Sequence, residues 1–289
     1  MKSRLHPDTR IGHVQIKVSR LERSIVFYRD IVGLQVLRQT TDTAEMSADG
    51  RRPLVILREL AQNLDASHQE RTPHAGLYHF ALLVPTRPSL GVALRNLMAR
   101  HIEVGQGDHL VSEALYISDP DRNGIEIYAD RPRDDWMKDP RGEYVMAADP
   151  VDIEGLLEEA QNVSWTGLPP GTTVGHVHFH VADLQRAEHF YCDGLGFDIV
   201  LHYGPSALFV SAGGYHHHVG LNTWAGKGAP PAPKNAPGLD FYSLQLTSEE
   251  ERQEVLQRLA DRGYKTWQDD EGVWTSMDDN QIVVKLLAL

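Results

Sequence analysis

Residues 11–34 read IGHVQIKVSRLERSIVFYRDIVGL, and residues 174–197 read VGHVHFHVADLQRAEHFYCDGLGF. Aligned without gaps at an offset of 163, they share ten identities in 24 positions, Gly12, His13, Val14, Tyr28 and Gly33 among them. A second pair, 76–102 against 238–264, follows at an offset of 162, and a third sets 114–128 opposite 274–286. An internal repeat on this scale is a tandem duplication. It predicts an N-terminal domain over 1–130, a connecting segment over 131–171, and a C-terminal domain over 172–289.

Each half is itself doubled. Val14 to Val18 alternates like a strand, Leu21 to Tyr28 has apolar positions at helical spacing, and Gly33 ends the helix. His79 to Val84 followed by Leu90 to Met98 repeats that order, and short alternating runs follow each helix. The unit is one strand, one helix and about three strands, occurring four times. The expected fold class is α+β: two domains, each of paired βαβββ modules curled into a cupped mixed sheet with helices outside. The connecting segment is rich in Pro, Asp and Gly, with an acidic helical patch at 152–161, and Trp136 and Trp165 are its expected anchors. Lys227–Gly238, KGAPPAPKNAPG, reads as a long surface loop.

A length of 289 residues suits two domains at roughly 100–200 residues each. The single cysteine, Cys192, excludes an intrachain disulfide and a thiolate-rich zinc cluster, and it suits a reducing cytoplasm. A net charge of −12 argues against a phosphate-tracking surface, so nucleic acid is not an expected partner. Met1 to Arg10 has no apolar stretch behind its charges, which excludes a secretory signal. No run approaches the roughly 18 apolar residues of a membrane helix. Nucleotide-binding, nucleophile-elbow and zinc-protease motifs are absent from the sequence. The acidic run Glu249–Glu254 reads as a solvated helix start capped by Thr247-Ser248.

What remains is a set of 15 histidines. Strand alternation turns Val14, Ile16 and Val18 toward the helices and His13 toward the cup. By the same rule His79 lies opposite Phe80 and Leu82, and Glu126 lies opposite Ile125 and Ile127. Two imidazoles and a carboxylate on three strands form the donor set of open, oxygen-handling Fe(II) sites. Read singly, His13 and His79 are more readily ordinary half-buried histidines and Glu126 an exposed strand carboxylate.

The motifs GHVQIKV…FYRDIVGL, GLYHFALLVP and YISDPDRNGIEIY resemble the vicinal oxygen chelate superfamily (glyoxalase, bleomycin resistance protein, dioxygenase). Within it they look most like two-domain type I extradiol dioxygenases of the catechol 2,3-dioxygenase kind. The resemblance implies a metal triad of His13, His79 and Glu126, with spacings of 66 and 47 residues. It also implies a cup-facing tyrosine ten residues before the glutamate, which is Tyr116, and a preceding loop histidine, matched by His109. Both are expected to be catalytic, hydrogen-bonding the bound substrate. The implied reaction is ring opening of a catechol beside its diol, on Fe(II) or alternatively Mn(II), with dioxygen.

Two departures shape the expectation. His176 matches His13, but Phe241 stands opposite His79 and Val283 opposite Glu126, so the N-terminal cup is expected to hold the metal. The family's acid–base histidine aligns with Leu54 in that half and with His218 in the other, leaving His109, His68 or His74 as substitutes. His176, His178 and His180, with the run His216–His218, are then read as remnants of a duplicated site. The helix aromatics Phe27-Tyr28 and Phe190-Tyr191 read as core, and Cys192 as unreactive. Two rivals stay open: a glyoxalase-like isomerase or lyase on Zn(II) or Ni(II), and a non-catalytic binder of a small aromatic or drug. The expected partners are a small aromatic substrate and dioxygen, with no membrane, and the exposed sheet edges leave homo-oligomerisation open.

Overall fold

The computed structural model describes residues 4–61 and 73–289. His68 lies outside the described residues. Four units follow one another in the chain. The first runs β1 (Arg10–Val18), α1 (Leu21–Phe27), β2 (Gln35–Gln39), β3 (Thr43–Ser47) and β4 (Val55–Glu59). The second runs β5 (Gly76–Leu83), α2 (Arg87–Ala99), β6 (Gly105–Asp108), β7 (Ser112–Ser118) and β8 (Gly124–Asp130). After α3 (Ile153–Ala160), the third runs β9 (Thr173–His180), α4 (Leu184–Glu188), β10 (Asp198–Tyr203), β11 (Ala207–Ser211) and β12 (Val219–Asn222). The fourth runs β13 (Gly238–Leu246), α5 (Glu249–Asp261), β14 (Thr266–Gln268), β15 (Trp274–Met277) and β16 (Val283–Ala288).

Local chemistry explains the repetition. After α1 and after α4 the chain tightens into a π-type turn and stops at a glycine in the left-handed region, Gly33 at φ 92° and Gly196 at φ 99°. The turns before β8 and β16 are built alike. Asp119 Oδ1 accepts the backbone N–H groups of Asp121 and Asn123, and Asp278 Oδ1 accepts those of Asn280 and Ile282. Ser248 Oγ caps α5 by accepting the Glu251 N–H, and Asp152 caps α3 through the Gly155 N–H.

The units pair in a nested order. One eight-stranded sheet runs β14-β15-β16-β13-β1-β4-β3-β2, and the other runs β10-β11-β12-β9-β5-β8-β7-β6. Each sheet is therefore a cupped, mixed assembly of two βαβββ modules, as the α+β reading expected. The composition of each sheet differs from the division at 130 and 172: the first module joins the fourth, and the second joins the third. The antiparallel seams are β1–β13 and β5–β9. Local periodicity makes every module's first strand a competent seam partner, so the pattern specifies modules without specifying which two meet.

The two sheets share one apolar core. Val14 and Ile16 of β1 pack in the same cluster as Phe80 and Leu82 of β5 and Val177 and Phe179 of β9. Tyr28 stacks on Phe80 with ring centroids 6.5 Å apart, and Phe179 meets Tyr242 at 5.4 Å. The core-facing sides carry the helices, and the cups open on the opposite faces. In the connecting segment Trp165 packs against this core, while Trp136 joins Tyr144 and Tyr215 in a smaller cluster. Among the described residues no helix is long and apolar enough to cross a membrane.

Candidate metal centre and cavity

In β9 the core takes Val177 and Phe179, so His176 and His178 turn to the cup. In β5 the core takes Phe80 and Leu82, leaving His79 and Ala81 on the cup side. In β8 it takes Ile125 and Ile127, leaving Glu126. Ala81 pairs with His176 across one seam and with Glu126 across the other, so a methyl group sits between the two larger side chains and leaves room above it. His79, Glu126 and His176 converge there, each almost fully buried, with donor atoms all within 4.8 Å of one another.

The convergence is on one atom. His79 Nε2 lies 3.0 Å and His176 Nε2 lies 3.1 Å from Glu126 Oε2. His79 Nε2 is nevertheless without an aligned hydrogen bond, although buried. A buried imidazole nitrogen aimed at a carboxylate, off the line of a hydrogen bond, fits a lone pair directed at a shared cation. Burial alone would push the Glu126 carboxyl up, but His176 and then His79 outweigh it and hold it well below the usual range. Burial pushes His176 down, against the pull of Glu126. An ionised carboxylate, and an imidazole that burial keeps from charging, are the forms in which these groups ligate a divalent metal.

His13 is not in this constellation. β1 pairs with β4 and β13, so His13 lies in the other sheet, with Nδ1 3.1 Å from Ser243 Oγ and its ring edge-on to Phe241 at 5.7 Å. Burial first, and Lys285 next, lower its pKa to about 4. The structure thus replaces His13 by its repeat partner, His176, because the module that meets the second is the third. Register also corrects the partner of Glu126. Ala81 pairs with Glu126 and Ser243 with Lys285, so the matching position in the other cup is Lys285 rather than Val283. Its ammonium sits 4.2 Å over the Phe241 ring and 2.7 Å from Asp269. That cup holds its own cation.

Over the triad opens a cavity of about 270 Å³. Tyr116 and His109, both expected near the metal, lie on one wall. His109 Nδ1 donates to the Ala147 carbonyl at 2.7 Å, so its Nε2 accepts the Tyr116 hydroxyl, also at 2.7 Å. Burial, then Glu126, pushes that hydroxyl well above its ordinary range. The opposite wall holds His178, His217, Tyr78, Phe209 and Trp224, and Met146 to Ala148 of the connecting segment close one side. Asn222 accepts the Trp224 N–H on its oxygen and donates its amide to His178 Nε2 at 2.9 Å. Burial holds His178 and His217 as neutral imidazoles, both pushed well below the ordinary range.

Three of the six histidines read as remnants line the cavity. His176, His178 and His217 belong to it, whereas His218 accepts the Ala212 N–H on Nδ1 and faces Phe197 and Tyr215. His74 bonds the Ala75 carbonyl and does not line this cavity. The only sequence signal for His176 was its place in the repeat, shared with His13; for His217 there was none to separate it from its two neighbours. Cys192 is buried and its thiol is pushed up to about 12 by burial, in keeping with no reactivity.

Known proteins resemble this chain at two levels. A Bacillus subtilis (strain 168) protein named catechol-2,3-dioxygenase is 54% identical over 261 residues, spanning 90% of each chain. A solved structure from Bacillus subtilis superposes with a TM-score of 0.65 at 10% identity, covering 99% of this chain and 86% of that one. Glyoxalase I from Zea mays superposes with a TM-score of 0.57 at 15% identity, covering 97% of this chain and 92% of that one. At such identities the two solved structures speak to fold alone. The family pattern itself matches residues 10–127 and 173–280, the four modules without their connection, and the chain belongs to the Glyoxalase/Bleomycin resistance protein/Dioxygenase superfamily.

Proposed function

We propose that this chain is a metal-dependent extradiol dioxygenase that cleaves a catechol with dioxygen, and that its metal is Fe(II) held by His79, Glu126 and His176. The observation that carries the reading is the convergence of two imidazole nitrogens on one oxygen of Glu126, at 3.0 and 3.1 Å, beneath a cavity walled by aromatic rings. The 54% identity to a protein named catechol-2,3-dioxygenase supports it. When bound, a ferrous ion supplies the one-electron chemistry that dioxygen requires, and three protein ligands leave positions for two vicinal oxygens.

The chain's own residues do the rest. Tyr78, Phe209 and Trp224 offer ring faces and edges that position a planar aromatic. His217, a neutral imidazole in the cavity wall, accepts a hydroxyl proton of the diol. Tyr116, held by His109, presents its hydroxyl oxygen beside Glu126 and orients the opposite side of the substrate. Buried apolar walls exclude water and strengthen each of these contacts. The lone, buried Cys192 fits a reducing, cytoplasmic setting.

Anaerobic reconstitution with Fe(II), followed by a panel of catechols, tests the reading. The expected result is uptake of one dioxygen per diol with appearance of a ring-opened product. Turnover of α-oxygenated substrates on Zn(II) or Ni(II) without oxygen uptake would overturn it in favour of glyoxalase-like chemistry.

A further inference from the structure

A line of buried polar groups leads away from the cavity, and its hydrogen-bond directions can be read in order. Asp130 ends β8, four residues beyond Glu126, with its carboxylate only a quarter exposed. Its Oδ1 receives two partners, Tyr215 Oη at 3.1 Å and His216 Nε2 at 2.9 Å. A carboxylate accepts only, so both partners donate. Tyr128 Oη lies 2.7 Å from Tyr215 Oη and, with the Tyr215 proton already given to Asp130, Tyr128 is the donor of that pair. His216 is fully buried between the rings of Trp136 and Tyr215, with centroids at 5.2 and 4.1 Å. Its Nδ1 lies 2.8 Å from Nδ1 of His217.

We propose that Asp130 and His216 are positioning residues that set the tautomer of His217, so that its unprotonated Nε2 faces the cavity as the acceptor for a substrate hydroxyl. A neutral imidazole carries one N–H. With His216 in its neutral form, Asp130 takes its single N–H at Nε2, and His216 Nδ1 is left as an acceptor. His217 must then donate from Nδ1. Its Nε2 is consequently the lone-pair nitrogen, and His217 lines the cavity. Without the carboxylate, His216 is free to reverse, which would present an N–H to the substrate oxygen in place of an acceptor. Trp136, from the connecting segment, packs His216 in place, and Arg133 lies over the rings of Trp136 and Tyr215 at 5.4 and 5.5 Å. The inference rests on the reading of the cavity as a site for an aromatic diol, and it concerns how the chain orients one acceptor there.

The test uses full-length protein labelled with nitrogen-15 in its histidines. Long-range proton–nitrogen correlation spectra distinguish the two tautomers without turnover, and His217→Gln assigns the signal. In the parent protein His217 is expected as the Nδ1–H form. In Asp130→Asn the pattern should shift toward Nε2–H, kcat for a catechol should fall about tenfold or more with KM little changed, and Asp130→Glu should restore part of it. An Nε2–H form of His217 in the parent, or an Asp130→Asn variant with unchanged tautomer and kcat, would overturn the inference. Absence of oxygen uptake by the parent protein would instead count against the proposed function, and the spectra would still decide the tautomer.

Discussion

His218 shows how one buried imidazole couples stability to pH. Burial lowers its pKa to about 3, and its Nδ1 must stay unprotonated to accept the Ala212 N–H. The unfolded chain binds a proton there below about pH 6.5, whereas the folded chain does not until far lower pH. The stabilisation from neutral His218 is therefore complete above pH 6.5 and is lost as pH falls toward 3. Asp119 and Asp278, raised to about 6 by burial, act with the opposite sign, since their folded forms hold protons that the unfolded chain has released. The contrast between variants isolates the histidine. His218→Leu places at this position the residue that the first module carries there, Leu54, whose carbonyl accepts the Val14 N–H as that of His218 accepts the Val177 N–H. Between pH 7 and pH 5, thermal unfolding of His218→Leu should lose a few degrees less than that of the parent, reflecting on the order of 2 kcal/mol. Equal losses in the two proteins would refute the assignment.

At the scale of elements, α2 and α3 pack closely. A Cβ on Gly91 would stand 2.1 Å from the Leu156 carbonyl oxygen and 2.8 Å from the Ala160 Cβ, so the helices meet where no side chain intervenes. Gly91→Ala should thus lower the thermal midpoint by several degrees despite alanine's better helix propensity, at a cost of about 1–3 kcal/mol, while Gly142→Ala, open on all sides but at φ 84°, should cost about 1 kcal/mol through strain alone. Calorimetry on the two variants checks the order. This contact was only half legible in the amino-acid sequence. The acidic patch at 152–161 reads as a helix because Asp152 and the apolar spacing of Leu156 and Ala160 are local signals. Its docking against α2 depends on a glycine whose purpose appears only when both helices are in place. The same holds along the chain. Alternation in β1, β5 and β8 assigned cup and core sides as the structure has them, since a period of two is local. The His216–His218 run lies in a turn before β12, where alternation does not apply, and so the reading could not single out His217.

For the whole molecule, the choice of seams decides the chemistry. Four similar modules allow more than one pairing, and local patterns are indifferent between them. The chain joins first to fourth and second to third, so a ligand set drawn from one half in sequence is split between sheets. His79, Glu126, Tyr116 and His109 were legible because all belong to the second module. His176 was not, because its role depends on the β5–β9 seam. In the other cup the equivalent trio is His13, Phe241 and Lys285, and an ammonium over a phenyl ring takes the place of a bound cation. One comparison tests this account most directly: iron content after anaerobic Fe(II) reconstitution and desalting, measured for His176→Ala and His13→Ala beside the parent. The account predicts that His13→Ala retains close to one iron per chain and that His176→Ala retains little. Loss of iron in His13→Ala with retention in His176→Ala would contradict it.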